Sequence, residues 1–148
     1  MNDVADIEAL LADETGLAVV TTLRSDGRPL SSVVNVGVVD HPVPGGRVAA
    51  FVAAGSSARL GHLRRSPTIN VLVRRAWQWA AVEGEALLIG PDDPHPDVDS
   101  DALRLLIRRV FQAAGGTHDD YDEFDRVMAD DRRCVVVVAP RRYYSNPS

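Results

Sequence analysis

Short runs of β-branched and other apolar residues, bounded by turn sequences, recur along the chain and constrain its fold more than any other feature. Val, Ile and Thr favour strands, whereas Gly, Pro, Asn and Asp favour turns. These runs predict six strands, at residues 16–24, 30–40, 47–54, 68–74, 77–90 and 132–140. The turn "SDGRP" joins the first two strands into a hairpin, so we expect a mostly antiparallel sheet. Gly84, inside the long fifth strand, indicates a bulge or bend.

Four segments have helical spacing of their apolar residues. The first is 5–14, with Ile7, Leu10 and Leu11 on one face, and the second is 57–65. A third follows a cap at Asp99 or Ser100, and a fourth, shorter helix begins near residue 121. The last two form an insert between strands five and six. Closing the strands into a small β-barrel would remove exposed sheet edges, and we predict one domain over residues 1–148.

The composition is that of an ordinary globular protein, with 45% hydrophobic and 25% charged residues. No apolar run approaches the roughly 20 residues that span a bilayer, and the N-terminus has no signal-peptide pattern. We therefore expect a cytoplasmic protein that does not bind a membrane. Cys134 is the single cysteine, so it forms no internal disulfide, and its strand sequence predicts burial. The histidine spacing matches no metal-binding pattern, and no metal site is expected.

The net charge of −5 comes mainly from the insert. Residues 91–131 carry −8 and the rest of the chain carries +3, with arginine as the only basic residue. The arginines form no long stripe, so nucleic acid is not an expected partner. The positive remainder suits an anionic ligand.

The basic helix 57–65 is the best candidate for a chemical site. Ser56 or Ser57 can cap it, and its exposed N–H groups and partial positive charge suit a phosphate. Arg59 adds a charged donor in the first turn, and His62 follows Ala58 by one turn. The alternative is an ordinary surface helix that happens to carry arginines.

Two further groups could border a planar ligand. Ser31 and Ser32 lie on strand two, where hydroxyls and free backbone groups could face a ring, but the residues alone favour the ordinary alternation of side chains in a barrel. Trp77 and Trp79 are predicted on one face of strand five, either as core or dimer contacts or as a stacking wall. No nucleophile elbow, Walker or dinucleotide-binding pattern is present, so no catalytic side chain is predicted. Any chemistry would come from a bound cofactor.

The order of four segments, "LAVVTTLRSDGRPLSSVV", "SSARLGHLRRSPTINVLV", "WAAVEGEALL" and "YDEFDRVMADDRRCVVVVAP", resembles the pyridoxamine 5′-phosphate oxidase-like proteins. More narrowly, it resembles the branch that uses the deazaflavin coenzyme F-420. The resemblance runs from about residue 7 to residue 144. It implies a mainly β fold with α elements, a six-stranded antiparallel split β-barrel of the FMN-binding type. It also implies a homodimer with cofactor sites at the dimer interface.

The resemblance also implies which residues bind the cofactor. The family's phosphate motif falls on Ser57, Ala58, Arg59 and Leu63, and His62 adjoins it. Ala58 stands where flavin-phosphate binders often have a basic residue, which favours the deazaflavin branch. The strand-two residues that would border the ring are Ser32, Val33 and Val34, and those that would approach the partner subunit's cofactor are Trp77 and Trp79.

We therefore expect a coenzyme F-420-dependent reductase that transfers a hydride to an unsaturated or conjugated small molecule. Weaker candidates for binding the cofactor's anionic tail are Arg28, Arg64, Arg141 and Arg142. One alternative is an FMN-dependent oxidase or flavin reductase on the same fold. Another is a non-catalytic module that binds a cofactor or a tetrapyrrole.

Overall fold

The computed structural model describes residues 3–13, 15–43 and 45–147. Seven strands and four helices follow one another along the chain. Their order and bounds are α1 (Val4–Asp13), β1 (Leu17–Leu23), β2 (Pro29–Asn35), β3 (Gly37–Asp40), β4 (Arg47–Ala53), α2 (Ala58–Arg65), β5 (Thr68–Arg75), β6 (Gln78–Ile89), α3 (Ser100–Ala113), α4 (Tyr121–Asp130) and β7 (Cys134–Ser145). All four predicted helices are confirmed, although Glu14, the end predicted for the first, lies outside the described residues. Ser57 caps α2 and Asp99 caps α3.

The sheet is antiparallel and runs in the order β2-β1-β5-β6-β7-β4-β3. The prediction of six strands in a closed barrel is therefore wrong: there are seven strands in the described part of the chain, and the sheet does not close. The predicted strand 30–40 is two strands, which lie at opposite edges of the sheet. β2 pairs with β1, and β3 pairs with β4.

The break between these edge strands falls at Val36. Its backbone N–H leaves the ladder and donates to the Gly16 carbonyl over 2.7 Å, and its side chain is fully buried. Gly37 follows directly, and a Cβ there would lie 2.7 Å from Ala113, at the end of α3. The chain therefore changes direction where α3 packs closest to the sheet, and only glycine fits at that approach.

Apolar clusters cover both faces of the sheet. The larger one joins strand residues such as Val20, Phe51 and Val71 to α1 and to Leu60 and Leu63 of α2. The second cluster packs α3 and α4 against β3, β4, β6 and β7. The acidic insert is thus a layer over one face, whereas α2 packs on the other.

The two longest strands, β6 and β7, pair across an irregularity. Glu83 pairs with Arg142 but Gly84 pairs with Pro140, so Arg141 is the extra residue of a bulge. The bulge predicted at Gly84 is confirmed. A proline cannot donate to a ladder and is tolerated at such a bulge, so β7 continues to Ser145 through the segment that the sequence presented as a tail.

Cys134, the first residue of β7, is free and buried, as predicted. Burial, with a contribution from the nearby Asp93 carboxylate, raises the pKa of its thiol to about 12. No helix in residues 3–13, 15–43 and 45–147 has the length and apolar character needed to cross a membrane.

Candidate functional site

The N-terminus of α2 is built by the serine that ends the β4–α2 connection. Ser57 has extended backbone angles, with φ −63° and ψ 132°, and its Oγ accepts a hydrogen bond from the Arg59 N–H over 3.2 Å. This is the geometry of an N-cap, which turns the first N–H groups of a helix toward one point. The cap predicted at Ser56 or Ser57 is therefore Ser57.

The Arg59 guanidinium bridges two serine hydroxyls from separate elements. Nη2 donates to Ser32 Oγ of β2 over 2.7 Å, and Nη1 lies 3.5 Å from Ser57 Oγ. The guanidinium carbon is 5.8 Å from the centre of the Phe51 ring on β4. The structure thus brings together Ser32, Ser57 and Arg59, three residues that the sequence singled out.

Charge compensation distinguishes Arg59 from the other arginines. Nine arginines in the described part of the chain have a carboxylate within 4.0 Å, and Arg59 is not among them. The other unpaired arginines are exposed, whereas Arg59 is half-buried. Burial lowers the pKa of Arg59 because desolvation disfavours the charged form. A half-buried positive charge with only hydroxyl partners favours binding of an anion.

His62 and Ala58 adjoin this cluster along α2. His62 Nδ1 is 3.0 Å from the hydroxyl of Thr22, a buried residue of β1. Its ring is therefore held against the sheet one turn beyond Arg59. Ala58 is exposed and is the first residue of the helix, so it adds no charge at the N-terminus.

The predicted ring-bordering residues of strand two divide between the faces of β2. Val34 packs against the larger core cluster and shares the face of Ser32, two residues away. Val33 is 63% exposed on the opposite face, and it pairs with Val19 of β1. The structure places Ser32 next to Arg59 and places Val33 away from it.

Trp77 and Trp79 lie at the tip of the β5–β6 hairpin. Trp77 lies in the turn, where Ala76 has φ 51°, so the strand begins at Gln78, one residue later than predicted. Trp77 is 91% exposed. The Trp79 ring packs edge-on against the Tyr144 ring, with 5.8 Å between the ring centres. Both line a depression of about 540 Å³ together with Leu72, Arg74 and Ala76. None of the residues that line it belongs to the Arg59 cluster.

Three of the arginines proposed for an anionic tail are already paired. Arg28 is 3.6 Å from Asp26, Arg64 binds Asp93, and Arg141 binds Glu85. Arg142 lies over the Tyr144 ring at 4.6 Å instead. The described residues contain no group of three His, Cys, Asp or Glu side chains that could hold a metal ion.

Sequence reasoning missed two contacts near these sites. The Arg64–Asp93 pair joins α2 to the start of the insert, and the two residues are 29 positions apart. The Asn146 side chain accepts from the Trp79 N–H and donates to the Trp77 carbonyl, which fixes the hairpin tip. Asp93 and Asn146 belong to no sequence motif, so no local signal could have predicted either contact.

Solved structures share this architecture, whereas no family model matches the sequence. A conserved hypothetical protein of Mycobacterium tuberculosis superimposes with a TM-score of 0.70 at 19% identity, covering 98% of this chain and 84% of its own. A pyridoxamine 5′-phosphate oxidase-related, FMN-binding protein of Nostoc punctiforme gives 0.65 at 15% identity, covering 96% and 81%. An F-420 reductase gives 0.62 at 15% identity, covering 93% and 94%. The chain therefore has the mainly β fold of the pyridoxamine 5′-phosphate oxidase-like split-barrel proteins.

Proposed function

We propose that this protein is an oxidoreductase that binds a phosphate-bearing flavin-type cofactor at the N-terminus of α2, and that the cofactor is coenzyme F-420. The observation that carries the proposal is the half-buried Arg59 guanidinium, which has hydroxyl partners and no carboxylate partner among the residues that the structure describes. The similarity to an F-420 reductase and to an FMN-binding protein supports a cofactor of this class.

The residues at the site fit a phosphate group. Arg59 can present two parallel N–H groups of one planar guanidinium to two phosphate oxygens, a fixed fork that a lysine ammonium does not offer. Ser57 can add its hydroxyl, and the N–H groups of the first helical turn point the same way. Ser32 now accepts from Arg59 and would keep the guanidinium oriented while phosphate binds.

The bound deazaflavin would supply the hydride that is transferred to an unsaturated or conjugated small molecule. The protein's own contribution is to bind and orient. Arg59 and Ser57 fix the phosphate end, and the face of β2 that carries Ser32 and Val34 borders the ring. We assign no side chain a role as nucleophile, acid or base.

We also propose that the protein is a homodimer. The outer face of β1 and β2 exposes Leu17, Val19 and Val33, half of the large hydrophobic residues that are exposed in the described part of the chain. Adjacent exposed apolar side chains of this kind are typical of an interface. The exposed Trp77 indole, at the hairpin tip that Asn146 fixes through the Trp77 carbonyl, would then reach the partner subunit.

Titration of the purified protein tests the cofactor directly. We expect coenzyme F-420 to bind more tightly than FMN. Arg59→Ala should weaken F-420 binding by about 10- to 100-fold, the loss expected for a hydrogen bond to a charged group. Arg65→Ala is the matched control, because Arg65 is exposed, lies on the same helix and pairs with no carboxylate within residues 3–13, 15–43 and 45–147. Unchanged affinity in the Arg59 variant would remove this residue from the site.

FMN is the second candidate cofactor, favoured by the FMN-binding neighbour. Tighter binding of FMN than of F-420 would support an FMN-dependent oxidase or flavin reductase instead. Tight cofactor binding without oxidation of the reduced cofactor by any conjugated acceptor would support a non-catalytic binding module.

A further inference from the structure

The helical insert contacts the β4–α2 connection where the chain approaches the candidate phosphate site. The Gly55 N–H donates to the Asp131 carbonyl over 3.0 Å. A Cβ at Gly55 would lie 2.6 Å from the Arg132 carbonyl oxygen, closer than real Cβ atoms come to an oxygen. Gly55 precedes the cap Ser57 by two residues, so the end of the insert fixes the backbone that leads into the cap.

The start of the insert binds the C-terminal end of α2. Arg64, in the last turn, donates from Nε to Asp93 Oδ1 over 3.0 Å and from Nη2 to Asp93 Oδ2 over 2.6 Å. The Asp93 side chain is only 15% exposed, and Cys134 Sγ lies 3.8 Å from its Oδ2. The hydrogen bonds to Asp93 raise the pKa of Arg64. Such a forked pair, in which the carboxylate is mostly buried, fixes distance and angle together.

The two ends of the insert also bind each other. Asp92 accepts from Arg132 Nε over 2.9 Å, and Gly90 and Asp93 exchange two backbone hydrogen bonds of 3.0 Å. We call residues 90–93 and 131–134 the insert root. The insert root is one hydrogen-bonded unit that touches α2 at its last turn and the connection just before its cap.

We propose that the insert root positions the phosphate-binding end of α2, with Arg64 and Asp93 as positioning residues; this inference rests on the proposed function. An eight-residue helix is too short to be stable by itself. The Arg59–Ser32 hydrogen bond joins α2 to a different element, so a small shift of the helix would break it. Anchors at both ends hold the guanidinium and the cap in place before an anion arrives.

The test compares two arginine variants of the full-length protein. Arg64→Met removes the anchor, and Arg64→Lys keeps the charge but loses the forked contact. Arg108→Met is the matched control, because Arg108 makes a forked pair with the equally buried Asp125 inside the insert, away from α2. Each variant is examined by hydrogen–deuterium exchange over residues 54–60 and by titration with coenzyme F-420.

We expect Arg64→Met to speed exchange over 54–60 by about fivefold and to weaken F-420 binding by about three- to tenfold, with a smaller effect in Arg64→Lys. The Arg108 variant should change neither measurement. Exchange that stays unchanged in the Arg64 variants, or rises equally in the Arg108 variant, would overturn the inference. So would faster exchange with unaltered affinity. If the unmodified protein binds neither F-420 nor FMN, the proposed function fails, and exchange alone decides the positioning role.

Discussion

Two arginines on one short helix have opposite roles because their partners differ. Arg64 binds a carboxylate in a forked pair, so its charge is compensated. Arg59 donates to hydroxyls and pairs with no carboxylate in the described part of the chain, so its charge remains available to a ligand. Both belong to the basic helix 57–65 that the sequence singled out. The distinction depends on Ser32 and Asp93, which are distant along the chain.

The buried thiol of Cys134 predicts a dependence of stability on alkaline pH. Its pKa is raised from 9.0 to about 12 in the folded protein. Above pH 9 the unfolded chain releases this proton and the folded chain keeps it, so stability is lost as the pH rises toward 12. The loss from this group approaches about 1.4 kcal/mol for each pH unit.

The measurement is urea unfolding at pH 8, 9.5 and 10.5, with Cys134→Ala as the comparison. The variant should be less steeply destabilised by alkaline pH than the unmodified protein. Identical slopes would show that the thiol does not titrate differently in the two states. A thiol-reactive dye should also label the native protein slowly at pH 8 and the unfolded protein rapidly.

Local sequence patterns predicted only the site residues at the start of α2. The cap and the first-turn arginine, Ser57 and Arg59, were visible because their spacing is that of a helix start. The contact between Arg59 and Ser32 was not, since it depends on how α2 packs across β2. The residues alone suggested that Ser31 or Ser32 could face a ligand, and the resemblance then narrowed the choice to Ser32.

At the scale of elements, the sequence predicted where most strands lie but not the residues at which they begin and end. The run "VVNVGVV" continues the alternation of a single strand, so nothing in it revealed that Val36 turns inward and divides β2 from β3. Trp77 was read as strand because the turn before Gln78 has no Gly or Asn. Pro140 concealed the second half of β7, because a proline ordinarily ends a central strand.

The close backbone approach at the β6–β7 bulge predicts that a methyl group added at Gly84 destabilises the protein. A Cβ at Gly84 would lie 2.1 Å from the Ala139 carbonyl oxygen. The backbones of Gly84 and Ala139 are both fixed by pairing in the sheet, so neither can easily move away. We expect Gly84→Ala to lower the free energy of unfolding by about 1–3 kcal/mol, as overpacking does.

Gly61→Ala is the matched control. Its added Cβ would meet Arg65 Nη1, the end of a flexible side chain, at an ordinary contact distance of 3.9 Å, and alanine is the better helix former. Urea unfolding of both variants checks the prediction. A Gly84 variant as stable as the Gly61 variant would mean that the bulge can shift its register.

For the whole molecule, one face of the sheet is only partly covered. α3 and α4 cover it at β3, β4, β6 and β7, whereas at β1 and β2 the same face keeps apolar side chains in solvent. The sequence indicated an insert but not its place, since a helix pair between two strands can lie on either face. The acidic character of the insert fits a solvated outer layer.

The exposed face of β1 and β2 predicts that one added charge will separate a dimer. Val19 is 37% exposed and lies between Val33 and Leu72 on neighbouring strands. Val19→Asp should convert a dimer into a monomer, because an unpaired carboxylate buried in an interface is costly. Sedimentation equilibrium measures the mass.

Val127→Asp is the control, since Val127 is similarly exposed, at 44%, but lies on α4 in the insert. It should leave the mass unchanged. A monomeric unmodified protein would refute the proposed homodimer, and loss of the dimer in the Val127 variant instead would place the interface on the insert.

The position of the insert also shapes how the chain folds. The β1–β2 and β5–β6 hairpins close over short turns, but β7 reaches β6 and β4 only after the insert, from Ile89 to Cys134, has been made. Contacts between distant segments form slowly because loop closure costs entropy. Until then one edge of β6 has no partner, and unpaired edges attract other chains. Aggregation during synthesis should therefore be greatest before residues 134–145 emerge from the ribosome.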